Sequence, residues 1–290
     1  MSSNHLVRGI LWMCLAAALY ASAAGVVRYL SADYHAFELN FFRNVVALIV
    51  LVPLVMRQGL ASLATHRPGA HATRMLFSWV GNMALFLALA RMPIADVGAL
   101  IFTQPLMTMA LAMLVLRQEA GWRVWIAGLI GFSGALVILR PGVQDVGLGS
   151  ILVLTAAFTF ACASTTIKSL SRTETTLAIT LYMNLAMLPL SLASAVFVWT
   201  EPAWHDLFAM FALGFLYTGA QYAIAKSIAA ADARVVQPFD FLRLPFATLI
   251  GFFLFGELPD RWTWAGAAII FLASTYALQI EAKSRGKPGR

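Results

Sequence analysis

Apolar residues run along this chain in ten stretches, near 8–29, 37–57, 74–90, 95–116, 123–140, 148–169, 176–199, 206–226, 234–255 and 262–280, with short polar segments between them. An α-helix needs roughly 20 apolar residues to cross a bilayer. The pattern therefore predicts an all-α integral membrane protein with ten spanning helices and almost nothing left over for a soluble domain. The longest polar interruption runs from Arg57 to Arg74, with Gly59, His66, Pro68 and His71, and reads as a flexible cytoplasmic loop. The first apolar run is too long for a cleavable signal and leads directly into the second, so it is expected to be a retained span.

The second half of the chain echoes the first. A shift of 140 lays Gly9–Ser31 on Gly149–Ser171, with Arg28 on Lys168 and Asn44 on Asn184. A shift of 138 lays Trp79 on Tyr217, Gly81 on Gly219, Val97 on Val235, Glu119 on Glu257 and Gly128 on Gly266. Coincident alanines mean little in membrane helices; glycine, asparagine and glutamate at steady offsets mean more. The expected division is a first repeat over 1–143, a second over 144–282 and a basic cytoplasmic tail over 283–290. Five spans per repeat is an odd number, so the second repeat is inverted in the membrane. Inverted repeats are the usual build of alternating-access carriers, whose substrate site lies near the midplane.

Charge changes the picture only by fixing orientation. The chain is 61% hydrophobic and 11% charged, with a formal net charge of +7. With the N-terminus inside, cytoplasmic segments hold Arg8, Arg57, Arg67, Arg74, Arg117, Arg123, Arg172, Arg234 and the basic tail, whereas outer segments hold Arg28, Arg91, Arg140 and Arg261. By the positive-inside rule both termini are expected in the cytoplasm, and the chain in a bacterial-type inner membrane. The basic balance is topology, so no nucleic-acid partner is expected. Cys14 and Cys162 both lie inside spans, and the histidines show no ligand spacing; no metal and no cofactor are expected. A phosphate-binding GxxxxGK[ST] loop and a base-activated nucleophile are both missing, so the chain reads as a secondary transporter rather than an enzyme. Its partners are then a small-molecule metabolite, the bilayer and protons as a candidate coupling ion; monomer and homodimer both fit.

Two segments carry a resemblance. Ala95-Asp-Val-Gly-Ala-Leu-Ile-Phe-Thr-Gln-Pro105 leads through an apolar run to Glu119, and Ala233-Arg-Val-Val-Gln-Pro-Phe-Asp-Phe-Leu-Arg-Leu-Pro245 leads to Gly256-Glu257. A mid-span proline, a helix-end glutamate and a Gly-rich last helix, twice per chain, resemble the EamA-type members of the drug/metabolite transporter superfamily. Phe41-Phe42-Arg43-Asn44 is similar to that family's second helix. The resemblance covers essentially the whole chain. It implies a central cavity lined by spans one to four and six to nine, with five and ten peripheral. It also implies transport of small metabolites: export of amino acids or their derivatives is the first expectation. Import of riboflavin, S-adenosylmethionine or a nucleoside-like metabolite is the alternative. The acidic residue that the four-helix multidrug branch carries in its first helix has no counterpart between Gly9 and Val27, which argues against efflux of cationic drugs.

Intramembrane charge is costly and normally faces a cavity or a partner. Asp240 and Arg243 lie three apart near the middle of the ninth span, where they either pair with each other or meet the amine and carboxylate of a zwitterion. Pro238 and Pro245 flank them and Pro105, beside Gln104, is the matching break in span four; proline removes a backbone donor and clashes with the preceding turn. Trp79 and Asn82 share a face of span three, and Tyr217 and Gln221 one of span eight, with Tyr222 adjacent. These are the candidate substrate-binding residues, together with Asp240, Arg243 and Gln104. Arg43 is a candidate gating residue that either lines an outer vestibule, pairs with Glu38 or reaches toward headgroups. Tyr20, Ser164 and Thr165 are further groups with reach to the cavity, and the small residues from Ala16 to Gly25 and from Ala161 to Ser164 read as a sliding seam.

Overall fold

The structure is a computed structural model and describes residues 3–58, 65, 67–115, 122–140, 147–170, 173–230 and 236–285. Glu119, most of the loop before Pro68 and the end of the tail lie outside the described residues, as do the side chains of Lys168 and Pro238. Inside a bilayer every backbone N–H and C=O must be satisfied within the protein, which leaves helices or closed barrels; among the described residues there are only helices. They are α1 (Ser3–Leu30), α2 (Ala36–Gln58), α3 (Pro68–Leu89), α4 (Ile94–Ile101), α5 (Gln104–Val115), α6 (Trp122–Leu139), α7 (Leu148–Leu170), α8 (Thr176–Ala195), α9 (Trp204–Ala230), α10 (Arg243–Phe255) and α11 (Arg261–Arg285). Short 3-10 segments cover Val196–Val198 and Gln237–Leu242. Among the described residues six helices are individually long and apolar enough to cross a membrane.

The fourth and ninth crossings are each made of two pieces. Pro105 is the second residue of α5. Its ring excludes the carbonyl of Ile101 and it has no N–H, so the α-ladder stops and Phe102–Thr103 form a turn. The Thr103 N–H and hydroxyl both donate to the Leu100 carbonyl, at 3.0 and 2.8 Å, which fixes the turn. In the ninth crossing Pro238 is the second residue of a 3-10 segment and Pro245 the third residue of α10. Pro53 and Pro189 lie inside α2 and α8 without ending them, so proline alone does not make a break.

The repeats interlock rather than stand side by side. α1 lies antiparallel against α9: Ser227 donates to the Gly9 carbonyl at 2.7 Å at one end, and Tyr34 donates to Asp206 at 2.9 Å at the other. α7 makes the mirror pair with α3. The matched glycines sit in these seams, where a Cβ on Gly81 would come within 2.6 Å of Phe160 and one on Gly219 within 3.5 Å of Leu19. Ala16, Ala17 and Ala21 on α1 and Ala156, Ala157 and Ala161 on α7 are all buried. Packing of α2 on α9 is matched by α8 on α3, and α1 on α10 by α7 on α5. α2 meets α8 and α6 meets α11 on the pseudo-two-fold axis. Phe102 stacks at 4.0 Å and 17° on Phe241, a residue 139 positions later, so the two breaks touch back to back.

The segment to Arg74 differs from its reading as a loop. α3 begins at Pro68, a favoured first helical position. His71 and Arg74 are therefore helical and buried. His71 meets Glu174 through its Nε2, Thr65 donates to the same carboxylate, and Arg67 donates to the Ser169 carbonyl and hydroxyl at 3.0 and 2.9 Å. Burial pushes the Glu174 carboxyl up, but the hydrogen bonds from Thr65 and His71 and the nearby cationic charge outweigh it and hold it below the ordinary carboxylate range. A depressed carboxylate stabilises above its unfolded pKa of about 4 and loses that contribution as pH falls through its folded value. Amide protection across residues 67–74, corrected for the intrinsic pH dependence of exchange, is thus expected to stay flat from neutral pH to about 5 and to fall only below about 4. Loss of protection near pH 6 would contradict this.

At the opposite end Glu257 accepts from the Ile94 N–H at 3.0 Å and pairs with Arg28 at 3.0 Å. Arg28 also donates to the Leu89 carbonyl at 3.0 Å. One carboxylate thereby ties the turn after α10 to α1, α3 and the N-terminus of α4, where an anion is favoured. Trp204, Trp262 and Trp264 are exposed at this end, as interfacial anchors are. α6 and α11 cross closely: a Cβ on Gly134 would lie 2.8 Å from the Gly266 carbonyl, and one on Gly266 2.5 Å from that of Gly134. Gly134→Leu is expected to cost at least ~2 kcal/mol, visible as a lower melting temperature in detergent. An unchanged melting temperature would place the two helices further apart.

Candidate substrate site

The breaks put polar side chains at mid-depth. The Arg243 Nη2 atom donates to both Asp240 oxygens, at 2.8 and 3.0 Å, so this pair closes on itself in the present conformation. The Arg243 guanidinium lies 4.4 Å from the centroid of the Tyr20 ring and 5.7 Å from that of Phe102. Tyr20 meets Tyr217 edge-to-face at 5.2 Å, and Arg43 lies over the far side of that system, 4.4 Å from the Tyr217 centroid. The result is a continuous guanidinium–tyrosine–tyrosine–guanidinium stack built from α10, α1, α9 and α2. Tyr217 donates to Asn82 of α3 at 3.2 Å, and Asn82 donates to the Ser78 carbonyl at 2.6 Å.

Arg43 does not reach toward headgroups, and it does not pair with Glu38. It is 1% exposed and donates to Asn40 Oδ1 at 3.0 and 3.2 Å, to Asn44 at 2.8 Å and to the Met187 sulfur at 3.2 Å. Asn44 in turn donates to Ser191 of α8 at 3.3 Å. All of these partners are neutral. Among the described residues the stack thus has two guanidiniums and one carboxylate, already taken. Three buried donors close to it find no acceptor: Arg243 Nε, Trp79 Nε1 and Asn40 Nδ2.

Of the residues picked out by sequence, Asp240, Arg243, Tyr217, Asn82 and Arg43 come together. Trp79 sits one turn from Asn82 and stacks on Phe37 at 6.1 Å. Gln221 is half-buried one turn beyond Tyr217. Gln104 lies against α7, its amide 3.5 Å from Ser164. Tyr222 is not in the stack: it is 49% exposed, packs against Trp12 at 6.2 Å and has Lys226 over its ring. Tyr222 follows Gln221, and one residue along a helix is a turn of about 100°, which carries it to the outer surface. Asn40 and Phe102 are the additions that sequence reasoning missed. Asn40 was legible as a polar residue one turn before Arg43; Phe102 carried no signal in an apolar run.

A cavity opens from the stack toward the Glu257 end, enclosing about 70 Å³ and reaching Leu89 and Ile94. That is room for about five waters and well under the ~300 Å³ at which ligand pockets begin.

A sequence model of the EamA-like transporter family matches residues 7–140 and again 147–278. The chain belongs to the EamA-like transporter family. The two matches are the two interlocked repeats. The chain is 34% identical over 285 residues to a riboflavin transporter of Vibrio cholerae, covering 97% of this chain and 96% of that one. It is 29% identical over 278 residues to an S-adenosylmethionine uptake transporter of Rickettsia prowazekii, covering 96% and 95%. A solved crystal structure superimposes over 99% of this chain and 100% of its own with a TM-score of 0.64 and 17% identity, a likeness of fold alone. This EamA-like chain is a membrane transport protein.

Proposed function

We propose that this chain takes up a flavin, with riboflavin as the leading substrate, across a bacterial inner membrane by alternating access, with both termini in the cytoplasm. The observation that carries the reading is the donor-rich aromatic stack, with Arg243 Nε, Trp79 Nε1 and Asn40 Nδ2 all lacking acceptors. Riboflavin is a fused aromatic ring with carbonyl acceptors along one edge and a hydroxyl-bearing chain. Its ring suits Tyr20, Tyr217 and Trp79, and its oxygens suit the free donors. The likeness to the riboflavin transporter of Vibrio cholerae supports the same substrate.

S-adenosylmethionine is the second reading, favoured by Asp240 and Arg243 as partners for an amino-acid tail and by the Rickettsia prowazekii relative. Its sulfonium would enter a site where Arg43 has no counter-charge, and like charges repel strongly at low dielectric. Export of amino acids, the first expectation from sequence, gains nothing from either relative.

Proteoliposomes given labelled riboflavin, S-adenosylmethionine or pooled amino acids, with and without a proton gradient, test this. Saturable riboflavin flux, competed by unlabelled riboflavin and not by amino acids, is the expected result. Flux of S-adenosylmethionine alone would promote the second reading, and flux of amino acids alone would restore the first expectation. A dependence on the gradient would make protons a coupled partner.

A further inference from the structure

The cavity beside the stack is strongly one-sided. Tyr20, Tyr217 and Arg243 form its polar end; the remainder is apolar, with Val97, Gly98, Ile101 and Ala247 facing Ala24 and Val27. A flavin ring is one-sided in the same sense, with methyl groups on the benzenoid edge and carbonyls on the pyrimidine edge. We propose that the methyl-bearing edge enters this apolar chamber while the carbonyl edge meets Arg243, and that Gly98 sets how bulky that apolar edge can be. The inference rests on the flavin reading and adds to it an orientation and a specificity-determining residue.

The chemistry decides the direction. Carbonyls placed in the apolar chamber would give up water and gain no donor, while the orphan Nε of Arg243 would stay unpaired. Reversing the ring thus loses hydrogen bonds at both ends. The size agrees as well: about 70 Å³ holds one edge of a fused ring and not the whole molecule.

Gly98 is singled out by comparison with the other buried glycines. A Cβ on Gly81 or Gly134 would press to within 2.6 or 2.8 Å of neighbouring atoms, so helix packing requires glycine there. A Cβ on Gly98 would rest 3.7 Å from Leu244 and 3.9 Å from Ala247, ordinary contact distances. Packing tolerates alanine at this position, and glycine weakens a helix relative to alanine. What glycine provides here is space in the chamber.

The test is inhibition of labelled riboflavin uptake in proteoliposomes by two analogues, one carrying a dimethylamino group on the benzenoid ring, the other methylated on the pyrimidine-ring nitrogen. Gly98→Ala is expected to raise the inhibition constant of the first analogue about tenfold, a normal penalty for one carbon too many in a tight apolar pocket. The second should change by less than about twofold. Ala247→Val, on the facing wall, should reproduce the pattern and carries the test should the first variant fail to fold. Equal changes for both analogues, or a larger change for the pyrimidine-methylated one, would overturn the orientation while leaving riboflavin uptake intact. Absence of riboflavin uptake by the wild-type protein would remove the flavin reading, and this inference with it.

Discussion

Arg243→Ala should reduce riboflavin uptake about 100-fold, equivalent to ~3 kcal/mol, the upper range for hydrogen bonds to a charged group. Arg243 faces Tyr20, lines the cavity and keeps a free Nε. The same change leaves the Asp240 carboxylate at mid-depth with no cation, so stability should fall too. Breaking a fully buried pair costs about 3–5 kcal/mol; both side chains here are about a fifth exposed, which brings the expected loss nearer ~2 kcal/mol. Arg243→Ala combined with Asp240→Ala separates the two effects. The double variant should recover most of the melting temperature, because no unpaired charge remains, and should still fail to transport. Recovery of transport in the double variant would reduce the pair to a lock within the ninth crossing.

Arg43→Gln should weaken uptake at least about tenfold, chiefly through KM, because it removes the cation that holds the Tyr217 ring in the stack. A guanidinium at the centre of a membrane helix costs roughly 3 kcal/mol, and Arg43 offsets that with neutral partners alone. Glutamine keeps a hydrogen-bonding head near Asn40 and Asn44 and removes both the charge and the cation–π contact with Tyr217. Arg43→Lys should do little better, because an ammonium lacks the planar fork that spans Asn40 and Asn44 while lying flat on the ring. Wild-type KM and kcat in both variants, measured in proteoliposomes, would show that Arg43 only braces α2 against α8.

Much of this site was legible because the bilayer makes exceptions conspicuous. Asp240 and Arg243 stand out in an apolar run, and their three-residue spacing makes the pair that the structure contains. Pro105, Pro238 and Pro245 marked the two broken crossings, although Pro53 and Pro189 show that a break also needs a neighbour to take up the freed groups. For Arg43 the sequence left three environments open. An arginine side chain is long enough to reach headgroups, Glu38 or the centre, and only the approach of α8 and α9 settles which. Tyr222 failed for a local reason: adjacency along a helix separates two side chains by more than a quarter turn.

By itself the amino-acid sequence determined the ten crossings, the duplication, the breaks in spans four and nine, and the membership of a transporter family. Each of these follows from apolar run length, residue offsets or proline stereochemistry, all local along the chain. Which repeat packs on which was decided only in three dimensions. The most extensive seams join α1 to α9, α6 to α11 and α3 to α7, each of them between the two repeats, and a carrier moving its two sequence halves as rigid bodies would have to tear those seams. The joining of Tyr20, Tyr217, Arg43 and Arg243 into one stack, and the one-sided chamber beside it, likewise depend on four helices converging. Helix–helix register in a membrane is set by close packing of small residues and a few polar contacts. Those contacts are specified by both partners at once and have no signature in either helix alone.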